Sequence, residues 1–304
     1  MFTSIVDIEK KVKSGRELKK LVLAAAEDVH ALEAVVNAHE NGIIHPILVG
    51  NRKRVLEIGV THSFDLSAFE IVDEPSHELA VEKSVKMIGK GEADILMKGK
   101  CSTATLMRGI LNKEWGMRKN KLLSHFALFE IPTYHKLLAL TDVAINMEPD
   151  LAEKKSILEN SVAFMIRLGW ECPKVAVIAA VELVNDSMQA TLDAAALSVM
   201  ASRNQISSCL VDGPLALDSA ISAESAKQKK IDSEVAGDAD LLVFPQLESG
   251  NVMYKSLAFL AGGSAASVVL GATAPVVLTS RADSQESKLN SIMLAAASEI
   301  NKNS

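Results

Sequence analysis

The chain has 304 residues and a formal net charge of -6. This length exceeds one typical domain and predicts two, while the negative charge argues against a general nucleic-acid binder, which needs clustered Lys and Arg. Hydrophobic residues make up 48 % and aromatic residues only 4 %, so we expect an aliphatic core of the kind found in parallel α/β sheets.

The cysteine pattern and the terminus bear on the compartment. Cys101, Cys172 and Cys209 lack CxxC spacing, which favours neither a zinc site nor a disulfide framework. The first residues show no basic region followed by an apolar run, and no apolar segment reaches the roughly 18 residues of a membrane span. We therefore expect an unexported protein of the reduced cytoplasm.

Strand and helix signals alternate along the first half of the chain. Strands are predicted over 20–26, 46–50, 69–72, 93–97, 122–130 and 138–146, and helices over 28–41, 51–58, 76–89 and 151–168. Repeated strand–helix units of this kind predict a parallel sheet.

A second set of units follows Glu148. Strands are predicted over 174–180, 209–211, 240–245, 268–271 and 276–278, turns over 212–217 and 248–251, and helices over 191–203, 219–230, 252–260 and 289–300, with Asp218 capping the second of these. The sequence thus predicts two doubly wound α/β domains, a discontinuous one over 1–147 and 270–304 and a second over 148–269. No GxGxxG follows these strands, which counts against dinucleotide binding.

A polar turn follows the strand over 93–97. Lys98 and Lys100 surround a glycine, and Ser102 and Thr103 open the next helix, so the turn suits a phosphate group. The spacing does not fit a Walker motif. The alternative to a phosphate site is that the two lysines are solvated and Ser102 caps the helix. The role of Arg108 is also open, since its side chain either reaches back toward the anion or covers the surface.

A second polar turn follows the strand over 276–278. Ser280 offers a hydroxyl and Arg281 a guanidinium fork suited to phosphate, at the start of the last helix. Such turns lie at the carboxyl edge of a sheet, where open α/β proteins bind ligands. Asp283 and Ser284 are both possible helix caps, but capping does not require an arginine.

Several separated motifs together resemble the phosphate acetyl/butyryltransferase family. They are Lys98-Gly99 with 102–105, Val211 to Leu215, Glu248 to Val252 with Tyr254-Lys255, and Ala274 to Val276 with Ser280-Arg281. The likeness runs from about residue 21 to residue 297, and the runs over 121–125, 191–197 and 280–284 are most similar to the butyryl branch.

This resemblance implies a fold like that of isocitrate and isopropylmalate dehydrogenases, with two α/β domains flanking a cleft. It implies a direct transfer in a ternary complex, butyryl-CoA plus phosphate giving butyryl phosphate plus CoA, without a metal or other cofactor and in a homo-oligomer. The family's Ser-Arg pair corresponds to Ser280 and Arg281, and its helix arginine to Arg108. In the acetyl branch an aspartate, the proposed base for the CoA thiol, stands where this chain has Ser287, so the base is open and Asp283 is the nearest carboxylate in sequence.

The expected site therefore combines catalytic and substrate-binding residues. The catalytic residues are Ser280, Arg281 and Asp283, and the residues expected to bind acyl-CoA or phosphate are Lys98, Lys100, Ser102, Thr103, Arg108, Asp212, Asn251 and Ser287. Phosphate acetyltransferase, a dehydrogenase of the same fold and a non-catalytic acyl-CoA binder are the competing functions.

Overall fold

A computed structural model describes residues 2–15, 17–119, 122–278 and 283–300. The strands are β1 (Lys19–Ala24), β2 (Ile44–Gly50), β3 (Glu70–Asp73), β4 (Ile95–Lys98), β5 (Ser124–Glu130), β6 (Leu138–Thr141), β7 (Lys174–Ile178), β8 (Leu210–Leu215), β9 (Leu241–Val243), β10 (Ser264–Leu270) and β11 (Val276–Val277). The helices are α1 (Ile5–Lys13), α2 (Val29–Glu40), α3 (Arg52–His62), α4 (His77–Gly89), α5 (Thr103–Ile110), α6 (Leu151–Leu168), α7 (Gln189–Ser202), α8 (Leu217–Ile221), α9 (Ala223–Gln228), α10 (Leu247–Phe259) and α11 (Gln285–Glu299). None of the described helices is long and apolar enough to cross a membrane.

The chain divides into two compact units. The terminal unit comprises Val6–Lys121 and Ala266–Ser304, and the middle unit comprises Leu122–Ala265 with Met1–Ile5. The boundary thus falls at Leu122, whereas the sequence placed it near Glu148. The difference has a physical cause: β5 pairs with β6, and β6 pairs with β9, so this hairpin belongs to the sheet of the later segment.

The sheet of the terminal unit has the strand order β3-β2-β1-β4-β11-β10. Neighbouring strands are parallel from β3 to β11, and β10 is antiparallel to β11. Leu21, Val22 and Leu23 of β1 are fully buried, as expected for a central parallel strand covered on both faces. The predicted parallel α/β character is confirmed, with one antiparallel strand that alternation alone did not indicate.

The sheet of the middle unit has the order β5-β6-β9-β7-β8. Its strands are parallel except at the β5–β6 hairpin. Helix α6 spans the predicted 151–168, because Asp150 and Glu153 form a reciprocal capping box and Gly169 ends the helix with a positive φ of 115°.

Strand β8 is longer than predicted. Residues 212–215 were expected in a turn, but β8 continues to Leu215, which pairs with Ile178 across an irregularity in the register. Pro214 lacks an N–H, and this is tolerated because β8 lies at the edge of its sheet.

The helix expected over 219–230 is broken in two. Helix α8 begins at Leu217, and Ser222 both ends it and caps α9, accepting a hydrogen bond from the Ser225 N–H. The prediction that Asp218 caps this helix was wrong. Asp218 lies inside α8, where its carboxylate pairs with Lys229 at 2.8 Å.

Two further helices begin earlier than predicted. The turn expected over 248–251 lies inside the start of α10, because Gln246 Oε1 accepts the Ser249 N–H at 2.8 Å and caps the helix. Helix α11 begins at Gln285 instead of 289, because Ser284 caps it. Polar residues that carry a turn signal in sequence therefore form helix starts here.

An ion-pair cluster joins the amino ends of the strands in the middle unit. Asp238 accepts hydrogen bonds or ion pairs from Lys174 at 2.6 Å, Lys136 at 2.9 Å and His135 at 2.8 Å. Burial by itself raises the pKa of Asp238, but these donors outweigh it and hold the pKa well below the ordinary 3.8. The native state therefore favours the ionised carboxylate.

We predict that Asp238→Asn lowers the free energy of unfolding by about 1 kcal/mol near neutral pH, a small value because the carboxylate is partly exposed. Since its pKa is depressed in the folded state, its contribution is present above the ordinary pKa of 3.8 and is lost as the pH falls through the lower folded value. Urea unfolding measures the free energy of unfolding of the variant and the wild type, once at neutral pH and once well below the ordinary pKa of 3.8. Asp232→Asn, an exposed carboxylate in the same segment, is the control, and an equal loss in both variants, or a difference independent of pH, would contradict it.

Candidate functional site

The candidate site lies at the carboxyl edge of the sheet in the terminal unit. Ala24 of β1 pairs with Lys98 of β4, and Met97 of β4 pairs with Val277 of β11, all in parallel. Parallel strands in register end at the same edge. The two polar turns that the sequence singled out therefore follow neighbouring strands, β4 and β11, at the same edge.

The loop after β4 is held against the end of β1 by its backbone. The N–H of Gly99 donates to the Ala24 carbonyl at 2.9 Å, and that of Lys100 to the Ala25 carbonyl at 2.7 Å. A Cβ at Gly99 would lie 2.2 Å from the Ala25 oxygen, so this approach requires glycine. The glycine thus sets the position of both lysines.

The two lysines are held differently. Lys98 is half-buried, and its Nζ donates to the Gly99 carbonyl at 3.1 Å. Lys100 is exposed, and its ammonium has no hydrogen-bond or ion-pair partner among the described residues. Both side chains therefore place positive charge at the carboxyl edge of the sheet.

Helix α5 begins at this loop. Ser102 is its cap, since the Ser102 Oγ accepts the Thr105 N–H at 3.0 Å, which confirms the capping alternative for that residue. Thr103 is the first helical residue and is exposed. Arg108 is exposed and its Nη2 lies 3.4 Å from Thr105 Oγ1, so it turns back toward the start of its helix, as reaching toward an anion requires.

Cys101 lies in the same loop but is buried. Burial raises the pKa of its thiol, more than the nearby positive charge of Lys98 lowers it. A thiol of raised pKa is a poor nucleophile near neutral pH. An acyl-cysteine intermediate at this position is therefore disfavoured.

The second turn is described only in part. Ser280 and Arg281 lie outside the described residues, so their catalytic roles stay predictions. Beyond the turn, the Ser284 Oγ accepts the Ser287 N–H at 3.0 Å and caps α11. Of the two cap candidates, Ser284 is the one used. The backbone carbonyl of Asp283 accepts a hydrogen bond from the buried Lys288 ammonium.

Ser287 is therefore tied into the cap of α11. Its Oγ accepts a hydrogen bond from the Ser284 hydroxyl at 3.0 Å. Gln285 of the same turn donates to Glu33 of α2, which brings the start of α11 beside the helix that follows β1. The ends of β1, β4 and β11 thus share one polar edge.

Two predicted residues belong to the middle unit. Asp212 was expected in a turn after a strand, but it lies within β8, where its Oδ1 accepts the Gly213 N–H at 2.8 Å. Asn251 is the fifth residue of α10, and its Nδ2 donates to the Val143 carbonyl at 3.1 Å. That contact fastens α10 to the segment after β6, so the structure gives Asn251 a positioning role that the sequence did not indicate.

The sequence missed three polar residues near Lys100. Glu27, Arg54 and His62 line a pocket of about 320 Å³ together with Lys100. Glu27 lies three residues after the end of β1, which is a strand-end signal of the kind that drew attention to Lys98. Arg54 and His62 lie on α3, where exposed charged residues in sequence indicate only a solvated face.

Among the described residues, no group of three or more His, Cys, Asp or Glu side chains is placed to hold a metal ion. The donors at this edge are instead ammonium, guanidinium, hydroxyl and backbone N–H groups, which suit phosphate oxygens. Parallel α/β units with a glycine-dependent basic loop ahead of a capped helix define a class of proteins that bind phosphate-bearing ligands.

Comparisons with known proteins identify the family. The family model described as "Phosphate acetyl/butaryl transferase" matches residues 3–84 and 77–296. A phosphate butyryltransferase of Clostridium acetobutylicum is 49 % identical over 302 residues, which is 99 % of this chain and 100 % of that protein. A phosphate acetyltransferase of Thermotoga maritima is 42 % identical over 95 % of this chain and 98 % of its own. The chain belongs to the phosphate acetyl/butyryl transferase family.

Solved structures agree. A branched-chain phosphotransacylase from Enterococcus faecalis V583 has a TM-score of 0.81 and 29 % identity, covering 92 % of this chain and 99 % of its own. A 4-hydroxythreonine-4-phosphate dehydrogenase from Burkholderia phymatum has a TM-score of 0.58 at 14 % identity, over 93 % of this chain and 99 % of its own. The second likeness shows the fold alone, and it accords with the dehydrogenase-like architecture that the sequence implied.

We predict that Ser284→Ala lowers the melting temperature by about 2–4 °C, because loss of a helix cap costs about 1 kcal/mol. Asp283→Asn should cost less, since it keeps the backbone carbonyl that accepts from Lys288. Thermal unfolding followed by circular dichroism ranks the two variants. A larger loss in Asp283→Asn than in Ser284→Ala would contradict this assignment of the cap.

Proposed function

We propose that the chain catalyses the reversible reaction of butyryl-CoA and phosphate to butyryl phosphate and CoA. The observation that carries this is the identity of nearly half of all residues, over essentially the whole length, to a phosphate butyryltransferase. The polar edge of the terminal unit supports it, because its donors match the phosphate groups of both substrates.

The reaction sets clear demands on the site. An oxygen of phosphate attacks the thioester carbonyl, the C–S bond breaks, and CoA leaves as a thiolate that takes up a proton. The phosphate must be held close to the thioester, and the negative charge that develops on the carbonyl oxygen must be stabilised. No electrons enter or leave, so this scheme uses no redox cofactor.

The predicted residues divide these tasks among themselves. We assign the phosphate to Ser280 and Arg281, since a guanidinium fork suits phosphate oxygens. The anion-binding wall at the end of β4 consists of Lys98, Lys100, Ser102, Thr103 and Arg108. We keep Asp212 and Asn251 assigned to substrate contacts by resemblance alone, and Ser287 because it stands at the position of the acetyl branch's aspartate.

In the direction of acyl-CoA formation, we assign removal of the proton from the CoA thiol to Asp283. It is the carboxylate nearest in sequence to the Ser280-Arg281 pair. A base matters most where free thiolate is scarce. Asp283→Asn should therefore slow acyl-CoA formation most severely at low pH. A wild-type pH profile in this variant would remove Asp283 from the mechanism.

A second activity, phosphate acetyl transfer, is favoured by the relatives named phosphate acetyltransferase. Release of free thiol from acetyl-, propionyl-, butyryl- and isobutyryl-CoA on addition of phosphate decides between the two. We expect the highest kcat/KM with a four-carbon or branched acyl group. A preference for acetyl-CoA would overturn the butyryl assignment, and phosphate-independent thiol release would overturn both.

We further propose a cytoplasmic homo-oligomer acting in butanoate metabolism, as the family resemblance implies. Light scattering of the purified chain tests the assembly, and a monomeric mass at working concentration would contradict it.

Arg281→Lys keeps the positive charge but loses the fork. We predict that this variant raises the KM for phosphate about tenfold, which corresponds to one charge-assisted hydrogen bond. Initial rates at varied phosphate concentration measure the change, and Arg203→Lys, on the C-terminal side of α7, is the matched control. Phosphate kinetics equal to those of the wild type would rule out a bidentate role for Arg281.

A further inference from the structure

The amine of Lys100 differs from the other lysine of its loop in what holds it. Lys98 is half-buried, and its Nζ donates to the Gly99 carbonyl at 3.1 Å. Lys100 is exposed, and its side chain has no hydrogen-bond or ion-pair partner among the residues that the structure describes. Lys100 is therefore the lysine of this loop that a small electrophile can reach.

The backbone of Lys100 is nevertheless fixed. Its N–H donates to the Ala25 carbonyl at 2.7 Å, next to the hydrogen bond from the Gly99 N–H to the Ala24 carbonyl. These bonds anchor the residue at the carboxyl edge of the sheet, while its side chain stays exposed. An anchored backbone confines the amine to a small volume, which raises its effective concentration toward a ligand held at the same edge.

An open pocket gives small molecules access to this side chain. Lys100 lines a volume of about 320 Å³ together with Arg54 and Thr61 of α3. Arg54 is also exposed, and its guanidinium has no hydrogen-bond or ion-pair partner within the described ranges. Two such cations at one pocket attract a small molecule that carries a phosphate group.

The proposed reaction forms a molecule of this kind. Butyryl phosphate is a mixed anhydride, and the reaction itself depends on attack by a thiolate at its carbonyl carbon. A free amine attacks the same carbon by the same chemistry. Its phosphate group places butyryl phosphate beside the cations that we assign to phosphate binding, so the electrophile is formed where Lys100 stands.

The other nucleophiles of this loop are less suited to react. Burial raises the pKa of the Cys101 thiol, which leaves little thiolate. The Ser102 Oγ accepts the Thr105 N–H at 3.0 Å as a helix cap, and a hydroxyl needs a general base before it attacks. An amide formed on a lysine also persists in water, so the modified form accumulates.

We propose that butyryl phosphate acylates Lys100, which makes this lysine a site of covalent modification by the enzyme's own product. The free amine attacks the carbonyl carbon, a C–N bond forms, and the C–O bond to the phosphate group breaks. Inorganic phosphate leaves with the electron pair of that bond, and the nitrogen gives up a proton to water. The inference rests on the proposed function, because it takes butyryl phosphate as the product.

The modification has a consequence for the polar edge. Acylation of a lysine removes its positive charge, so one cation fewer is left for phosphate oxygens. We expect the KM for phosphate to rise about tenfold, which corresponds to one charge-assisted hydrogen bond. Accumulated butyryl phosphate thereby slows its own formation when phosphate is scarce.

Treatment of the full chain with synthetic butyryl phosphate, without CoA, tests the site. Mass spectrometry of its peptides gives the rate of N-butyryl-lysine formation at Lys100, with Lys98 and Lys53 as references in the same sample. Lys53 is exposed on α3, and its Nζ lies 4.0 Å from Glu57. We expect Lys100 to react about tenfold faster than either reference. A rate at Lys100 no higher than at Lys53 would be general surface acylation and would overturn the proposal.

Protection by inorganic phosphate shows whether the reagent reacts from the anion-binding wall. At about ten times its dissociation constant, phosphate should slow the labelling of Lys100 about tenfold by mass action. The labelling of Lys53 should not change. Equal labelling of Lys100 with and without phosphate would mean that the reaction does not pass through this site, and the proposal would fail.

Kinetics after the treatment connect the modification to activity. Once butyryl phosphate is removed, the wild type and the control Lys53→Arg should both show the raised KM for phosphate. Lys100→Arg keeps a positive charge but has no free amine, so its KM should be the same before and after treatment. An equal rise of the KM in Lys100→Arg would place the modification elsewhere.

Failure of the inference is separate from failure of the proposed function. Untreated wild type that releases no thiol from butyryl-CoA on addition of phosphate would disprove the function, whatever the labelling at Lys100. Wild type that transfers the acyl group but leaves Lys100 unmodified by butyryl phosphate would disprove the inference alone.

Discussion

The close approach of the Gly99 backbone to the end of β1 is the constraint on which the polar edge of the terminal unit depends. Two backbone hydrogen bonds, from Gly99 to Ala24 and from Lys100 to Ala25, extend the β1–β4 pairing beyond the strands. They fix where Lys98 and Lys100 stand and where α5 begins. A side chain at residue 99 would meet the Ala25 oxygen, so the basic loop and the start of α5 both depend on the missing Cβ of Gly99.

The charged side chains at this edge differ in their burial. The half-buried Lys98 is held by its own loop, while Lys100 and Arg54 are exposed. Glu27, in the lining of the pocket beside Lys100, is buried. The lining of this pocket therefore combines positive and negative side chains.

The part of the candidate site that follows β4 was predictable, because its residue types and their spacing along the chain are a local pattern. A strand followed by Lys98, Gly99 and Ser102 places cations and a helix cap at a sheet edge whatever the rest of the chain does. Glu27 and Arg54 could not be found in this way. They lie on different elements, and the pocket that they line exists only because β1 and β2 are neighbours in the sheet. Asn251 is the opposite case. Its motif predicted a substrate contact, and in the structure its side chain donates to the Val143 carbonyl and so holds α10 in place.

The sequence by itself determined the alternation of strands and helices, the aliphatic core and most helix positions, because periodicity and capping act over a few residues. Helix α6, bounded by Asp150 and Gly169, needed nothing more. The tertiary structure alone decided that the 122–147 segment joins the middle unit, that β8 runs on through Asp212, and that β10 and β5 each pair antiparallel with one neighbour. Strand pairing is made by hydrogen bonds between segments distant in sequence, and no local pattern encodes which partner a strand will find.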